Sequence, residues 1–224
     1  MNPLLSPWTA PYGLPPFDAL RAEHFAPAFE AAMAAHRAEL DAIAAQPEPA
    51  TFANTVAAFD RSGRLLGRIQ SVFYNLTASE TSPALQAVQR EMAAPQAAHV
   101  TAIYLREALL QRFGGLFEAR ATLGLEPEAL RLLERIHLDF VRSGARLQGE
   151  ARVRYAAVME ELAQLTTQFA QNVLHDEAAW TLPLPDEAAL AGLPGFVRDA
   201  AHQAAAEREL EVPVITLSRS LIVP

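Results

Sequence analysis

The side chains of this chain that could carry catalytic or metal chemistry are above all its six histidines, because cysteine and lysine are absent. Without cysteine there is no thiolate nucleophile, disulfide or cysteine-ligated metal site, and without lysine there is no Schiff-base or P-loop chemistry. No two histidines lie three to five residues apart, so the His-Glu-x-x-His zinc motif is missing. The histidines are His24, His36, His99, His137, His175 and His202.

The positions of four histidines favour structural roles over ligand roles. His36, His99 and His137 each fall on an apolar helical stripe, where a histidine is typically a core or half-buried residue. His175 stands near the end of a long helix, where the helix dipole favours a protonated imidazole. We therefore predict no metal ligand and no cofactor-binding residue in this chain.

Acidic and basic groups give two further candidate sites. Glu160-Glu161, and Glu134 with Asp139, lie between apolar positions of amphipathic helices, which is typical of a solvated face rather than of a catalytic carboxylate pair. Four arginines around a helix–helix turn are compatible with a phosphate or carboxylate site, or with salt links to neighbouring acids. The net charge of −8 favours the salt links. These arginines are Arg142, Arg146, Arg152 and Arg154.

Two serines precede glycines, but neither has the context of a nucleophile. Ser62 and Ser143 lack the Gly-x-Ser-x-Gly pattern that exposes a reactive hydroxyl on a sharp turn. From the residues alone we predict no catalytic residue, and a cofactor site inside a helical bundle is disfavoured because no ligands are paired.

Length and charge limit the class of protein. The 224 residues, 51% of them hydrophobic, suffice for one large domain or two small ones. A net charge of −8 disfavours general binding to nucleic acids or anionic membranes. We find no signal-type N-terminus and no apolar window of about 18 residues, so the expected location is the cytoplasm.

Apolar residues at helical spacing predict an all-α fold, an antiparallel bundle of long helices. Residues 1–16 hold five prolines and predict an extended N-terminal arm, residues 17–178 form the bundle, and residues 179–224 hold an extended piece, a short helix and a strand. The predicted helices run over 25–43, 51–76, 82–113 with a kink at Pro95 and a break at Gly114-Gly115, 126–141, 149–177 and 196–210.

Two details of these helices can be checked against the structure. Gly63 and Gly67 in the second helix are expected to let a neighbouring helix approach closely. The fifth helix has one apolar stripe, the packing face expected of a bundle helix. Its members are Tyr155, Val158, Leu162, Leu165, Phe169 and Val173.

The apolar, β-branched segment 212–217 predicts a strand close to the end of the chain. A strand needs a partner for its backbone groups, and the candidate within this chain is 180–184. One interpretation is therefore a two-stranded patch on the bundle. The other, which we favour from sequence, is a chain cut after Pro224, with the sheet and a catalytic region supplied by a missing part.

Eight motifs, in order along essentially the whole chain, resemble the N-terminal domain of the thimet-oligopeptidase family of zinc metallopeptidases. Two positions depart from the family's pattern: Ala50 replaces a proline and Ala53 a glutamate. The arginine-serine-glycine-alanine and FAQNVL motifs resemble bacterial peptidyl-dipeptidases (dipeptidyl carboxypeptidases) more than oligopeptidase A. The motifs include Asn2–Trp8 (NPLLSPW), Pro15–Asp18 (PPFD), Ala50–Thr55 (ATFANT), Phe73–Leu76 (FYNL), Phe140–Ala145 (FVRSGA), Phe169–Leu174 (FAQNVL) and Leu190–Pro194 (LAGLP).

The resemblance implies an almost wholly helical parent about three times as long, with two lobes across a deep channel that admits short peptides. It implies that this chain forms one wall of the channel, and that the zinc, its ligands and the general base lie downstream. The fragment is then expected to bind no zinc, to be inactive alone and to be able to self-associate through its truncated surface. The alternative is a stand-alone, non-enzymatic helical module that binds a peptide or protein partner.

Overall fold

The computed structural model describes residues 2–218 of the chain. Helices dominate this part, and a short two-stranded sheet lies near its C-terminal end. The prediction of an all-α fold with a short C-terminal strand is confirmed. The described chain divides into two compact units, residues 2–167 and 168–218, and one long helix contributes to both.

The first unit is built from helices joined by short turns. Several begin where the sequence offers a cap: the Thr51 hydroxyl accepts from the Asn54 amide at 3.1 Å, and Ser82 precedes a proline at the first helical position. Its elements are α1 Phe25–Ala44, a π-helical turn Phe52–Val56, α2 Ala57–Arg61, α3 Arg64–Ser79, α4 Pro83–Tyr104, α5 Glu107–Ala119, a 3-10 turn Arg120–Thr122, α6 Pro127–Arg142 and the first part of α7 Gly149–Ala179.

Two apolar clusters form the interior of the first unit. In one, the rings of Phe25 and Phe29 on α1 contact Phe73 on α3, with centroids 5.0 and 5.2 Å apart. In the other, Phe113 of α5 contacts Phe140 of α6 at 5.1 Å, beside the C-terminal part of α1. Burial of such side chains stabilises the fold by about 2–3 kcal/mol each. Because α1 contributes side chains to both clusters, it is the element that joins them.

The N-terminal segment is fastened to the helices at several points. Leu4 is fully buried in the first cluster, and the Asn2 side chain donates to the His24 carbonyl oxygen at 2.7 Å. The Arg68 guanidinium donates to the Leu4 carbonyl at 3.0 Å and lies over the Trp8 ring at 4.3 Å from its centroid. These contacts explain how a proline-rich segment, whose helical structure is the short 3-10 turn Pro11–Gly13, keeps a defined place. Two further 3-10 turns, Phe17–Ala19 and Ala22–His24, lead to α1.

The prediction of one continuous helix over 51–76 is wrong. The chain turns at Ser62-Gly63, where Gly63 has φ +70°, and α3 begins afterwards. Glycine suits this turn, because φ is positive and a Cβ at position 63 would stand 2.8 Å from the His36 ring. The expected close approach at Gly63 is therefore confirmed, whereas no atom lies within 4 Å of the Cβ position at Gly67.

The break predicted at Gly114-Gly115 lies elsewhere. Both glycines are inside α5, and the helix that begins at Ser82 instead ends before Arg106, which has an extended backbone with ψ 106° and an ion pair to Asp41 at 2.7 Å. The buried side chains of Phe113 and Leu116 flank the glycine pair and hold it in α5. Their packing outweighs the cost of about 1 kcal/mol per helical glycine.

The second unit holds the end of α7, β1 Thr181–Pro183, α8 Glu187–Leu190, α9 Gly195–Glu207 and β2 Val214–Thr216. The strands pair antiparallel, with Leu182 opposite Ile215, and buried Val214 contacts two buried alanines of α9. The predicted candidate partner of the C-terminal strand, segment 180–184, is therefore confirmed for the described part. Residues 219–224 of the predicted C-terminal region lie outside it.

Helix α7 has the predicted length but not the predicted burial. Leu162, Leu165 and Phe169 of its apolar stripe are 52%, 59% and 70% exposed, and the one buried side chain of α7 is Gln171. The expectation that the stripe packs inside a bundle is wrong for this chain. The sequence pattern specifies that a face is apolar, and the described residues supply no element that covers it.

Candidate functional site

A groove between α3, α4 and α7 is a concave surface of the first unit that could hold a ligand. It encloses about 490 Å³, is open to solvent and is mainly apolar. Such concave apolar surfaces with a few polar groups are the usual form of ligand sites. Its lining comprises Gln70, Tyr74, Ala93, Gln96, Ala97, Val100, Thr101, Met159, Leu162, Ala163, Thr166 and Thr167.

Hydrogen bonds fix the polar groups of the groove. The Gln96 side chain is buried, and its Oε1 accepts from Gln70 Nε2 at 2.9 Å and from the Tyr74 hydroxyl at 3.3 Å. These bonds join α3 to α4 and leave the Gln96 amide nitrogen as a donor without an assigned partner. Tyr74 is the one titratable residue in the lining, so the groove suits binding rather than proton transfer.

A second candidate is a partly buried chain of polar side chains on α1, α4 and the α2–α3 turn. His99 Nε2 lies 3.0 Å from His36 Nδ1, and His36 Nε2 lies 3.1 Å from Ser62 Oγ. The Ser62 hydroxyl donates to the Phe59 carbonyl oxygen at 2.6 Å. The structure thus brings together three residues that are far apart in sequence.

The hydrogen bonds of Ser62 argue against a serine–histidine nucleophile. Because the Ser62 proton is engaged with Phe59, Ser62 Oγ accepts from His36 Nε2–H, and His36 Nδ1 accepts from His99 Nε2–H. A general base would instead have to accept the serine proton. The chain of hydrogen bonds therefore joins α1 to α4.

Burial favours the uncharged form of both imidazoles. It lowers the pKa of His99 to about 4, and the nearby His36, Arg37 and Arg106 add to the effect. Burial also lowers the pKa of His36, although the Glu39 carboxylate opposes it. His99 Nδ1 is buried without a hydrogen-bond partner, so a proton there would gain no compensating contact.

The other histidines lie apart from this pair. His24 Nδ1 accepts from the Arg21 amide at 3.1 Å at the start of α1, while His175 and His202 are exposed. Among residues 2–218, no three histidine or acidic side chains are grouped so that they could hold a metal ion. The His36 and His99 nitrogens are bonded to each other and have no third ligand beside them, so the described residues do not fit a zinc site.

The acidic candidates occupy the helix surface. Glu134 lies 3.9 Å from Arg120 and 3.7 Å from Arg131, and Asp139 lies 3.2 Å from Arg135. Such exposed pairs stabilise a protein by about 0–1 kcal/mol each. Glu160 and Glu161 on α7 form no ion pair within the described chain. These contacts agree with a solvated face.

The arginine cluster does not form the expected salt links. Within the described residues none of its four members makes an ion pair, and Arg152 donates to the Leu105 carbonyl oxygen instead.

Arg146 borders a shallow cavity of about 350 Å³ in which the His137 ring stacks on Phe117, with the ring centroids 4.0 Å apart. Burial, Arg146 and Arg120 lower the pKa of His137. The cluster is therefore dispersed rather than focused on one anion site.

Comparison with known proteins shows that the chain is similar to bacterial peptidases. The chain is 39% identical over 210 residues to the dipeptidyl carboxypeptidase of Salmonella typhimurium and 38% identical over 211 residues to that of Escherichia coli, in each case over 94% of this chain. The chain is homologous to dipeptidyl carboxypeptidases. It is also 30% identical over 216 residues to oligopeptidase A of Salmonella typhimurium. No family model matches the chain.

These relatives confirm the resemblance that the motifs predicted. The identities to the two dipeptidyl carboxypeptidases exceed that to oligopeptidase A, as the motifs indicated. The chain spans about a third, 31%, of the length of each of these relatives. No helix among residues 2–218 is long and apolar enough to cross a membrane.

Two features of the site escaped the sequence reasoning. His36 and His99 are 63 positions apart in the sequence. Each is a polar residue on an apolar stripe, which indicates that each needs a buried hydrogen-bond partner. The groove depends on Gln70, Tyr74 and Gln96, which carry no motif. Their spacing of four residues on α3 does place Gln70 and Tyr74 on one face.

Proposed function

We propose that this chain forms the N-terminal lobe of a zinc-dependent peptidyl-dipeptidase that acts on short peptides in the cytoplasm. The observation that carries the proposal is the similarity to dipeptidyl carboxypeptidases over 94% of this chain, although it spans 31% of their length. Zinc would be bound by residues outside this chain, since the described residues offer no ligand set. This lobe is proposed to be inactive alone.

The groove between α3, α4 and α7 is our candidate for the wall that contacts the peptide. The open form of the groove can accommodate an extended peptide, and its apolar lining can contact the apolar side chains of that peptide. Gln70 and Tyr74 both donate to the Gln96 side-chain oxygen. The Gln96 amide nitrogen can therefore donate to a peptide carbonyl oxygen. In this role the lobe limits access and orients the substrate, and the chemistry takes place elsewhere.

The first test compares two lengths of protein expressed from the gene. We expect the longer protein to contain zinc and to release C-terminal dipeptides from an N-acetylated hexapeptide, and the 224-residue chain to do neither. Metal analysis and mass spectrometry of the products are the measurements. Cleavage inside the hexapeptide without dipeptide release would assign the protein to oligopeptidase-like activity, and hydrolysis by the 224-residue chain alone would contradict the proposal.

A groove variant tests the role of this surface. Val100 lines the groove and is 47% exposed, so Val100→Arg in the longer protein should obstruct peptide binding and raise KM about tenfold without unfolding the lobe. Ala102→Arg is the matched control, because Ala102 is exposed on the same helix but does not line the groove. Equal KM values for the two variants would show that the groove does not contact substrate.

A stand-alone binding module is the second candidate, and one observation favours it. The terminal strand pairs with β1 inside the chain, so the described sheet needs no external strand. On this alternative the groove would bind a peptide or partner protein without hydrolysis. A gene product of 224 residues that binds peptide and contains no zinc would support the alternative over the peptidase.

A further inference from the structure

Helix α7 carries an apolar face that the described chain leaves uncovered. Val158, Leu162, Leu165, Phe169 and Val173 are between 38% and 70% exposed, and Leu162 also lines the edge of the groove. They follow one another at intervals of four, three, four and four residues, which places them on one side of a helix. Scattered exposed apolar residues are ordinary, whereas a continuous row of five on one face marks an interaction surface.

The geometry of α7 separates this face from the side that is already buried. At about 100° per residue, Gln171 lies roughly 160° around the helix from Phe169 and roughly 160° from Val173. Gln171 is buried, so in the second unit α7 uses its other side for contacts within the chain. From Tyr155 to Val173 the face holds no charged side chain over about 27 Å of helix.

We infer that this face of α7 packs against the part of the peptidase that lies outside this chain. The inference rests on the proposed function, since it takes the chain as one portion of a longer polypeptide. The argument for this occupant is length: the chain spans 31% of its dipeptidyl carboxypeptidase relatives, so roughly two thirds of such a polypeptide is available to cover the face.

Covalent linkage favours this occupant over a second copy of the chain. A segment of the same polypeptide meets the face at an effective concentration in the millimolar range, well above that of another molecule in dilute solution. The absence of charge along the face also removes the ion pairs that would select a separate partner. The contact therefore joins this lobe to the remainder of the peptidase, and self-association of the isolated chain is the competing outcome.

Single cysteines provide the test, because the 224 residues contain none. Leu165→Cys probes the face, and Val153→Cys is the control, since Val153 is 71% exposed on another side of α7. Maleimide labelling is followed by peptide mapping in the 224-residue chain and in the longer protein, with peptidase activity measured on the same samples. We expect Cys at 165 to react about tenfold more slowly in the longer protein, and Cys at 153 to react equally in both.

A charge variant keeps the inference falsifiable if cysteine disturbs the contact. Phe169→Glu and Val153→Glu replace side chains of 70% and 71% exposure, so both should leave the 224-residue chain as stable as before. In the longer protein, Phe169→Glu alone should lower the thermal unfolding temperature.

Each outcome assigns the failure to one proposal. Equal labelling at position 165 in both lengths, with peptidase activity intact, would overturn the docking inference and leave the proposed function standing. Protection at position 165 in a longer protein that lacks peptidase activity would support docking and overturn the function. Protection in the 224-residue chain together with a doubled mass by light scattering would assign the face to a second copy.

Discussion

The buried His99 makes the first unit sensitive to acid, and the size of the effect can be worked out. Its pKa of about 4 in the folded protein lies below the unfolded value of 6.5. Between these values the unfolded chain binds more protons, so the free energy of unfolding falls as pH decreases. The stabilisation is fully present above pH 6.5, and between pH 7 and pH 4.5 the loss from His99 is about 2.5 kcal/mol.

The variant His99→Gln isolates this contribution. A glutamine amide nitrogen can still donate to His36 Nδ1, but it cannot titrate, so the loss of stability on acidification should shrink by about 2.5 kcal/mol. His36 retains its own lowered pKa and leaves a smaller residual dependence in the same direction. His202→Gln is the matched control, because His202 is exposed on α9 of the second unit.

The assay uses the two tryptophans of the chain, Trp8 and Trp180. In a Trp180→Phe background, Trp8 reports the first unit through its contact with Arg68. Urea unfolding at pH 7.0, 5.5 and 4.5 then gives the free energy at each pH for the parent, His99→Gln and His202→Gln. If the parent and His99→Gln lose the same free energy between pH 7.0 and 4.5, a neutral buried His99 is not the cause and the assignment is refuted.

Two further pairs of substitutions test the turn and loop contacts of the first unit by urea unfolding. Gly63→Ala should destabilise by more than about 1 kcal/mol, because φ is +70° and the new Cβ would meet His36, whereas Gly67→Ala in an open helical position should stabilise by about 0.5–1 kcal/mol. Arg112→Ala should cost about 2–3 kcal/mol, because the guanidinium donates to the Gln46 and Glu48 carbonyls and to two side chains. Arg131→Ala should cost less than about 0.5 kcal/mol, since its ion pair is exposed; equal losses for both arginines would contradict this ranking.

The sequence predicted the helical fold well because the apolar periodicity is strong and the caps are conventional. Ser82 with Pro83, and Glu126 with Pro127, begin helices in the structure as expected. The errors arose where a tertiary contact outweighed a local signal. Gly63 forms a turn beside the His36 ring. Gly114-Gly115 stays helical between the buried side chains of Phe113 and Leu116.

The candidate site was less accessible to sequence reasoning because it depends on pairs of distant residues. Periodicity showed that His36 and His99 face the interior, but only the packing of α1 against α4 brings their nitrogens to 3.0 Å. In the same way the sequence predicts that one face of α7 is apolar, whereas the exposure of that face depends on which other elements are present. A hydrophobic pattern specifies a buried face without specifying what buries it.

Helix α4 connects the two described polar sites and makes their roles separable. On one side His99 joins α4 to α1, and on another Gln96 joins it to α3 beside the groove. Because Gln96 and His99 are three residues apart, both networks fix the position of the same helical turn. Val100→Arg changes the groove without touching a buried titratable group, and His99→Gln changes a titratable group without altering the groove lining. A loss of peptide binding in the first variant with unchanged acid stability would therefore locate substrate contact at the groove rather than in the fold that supports it.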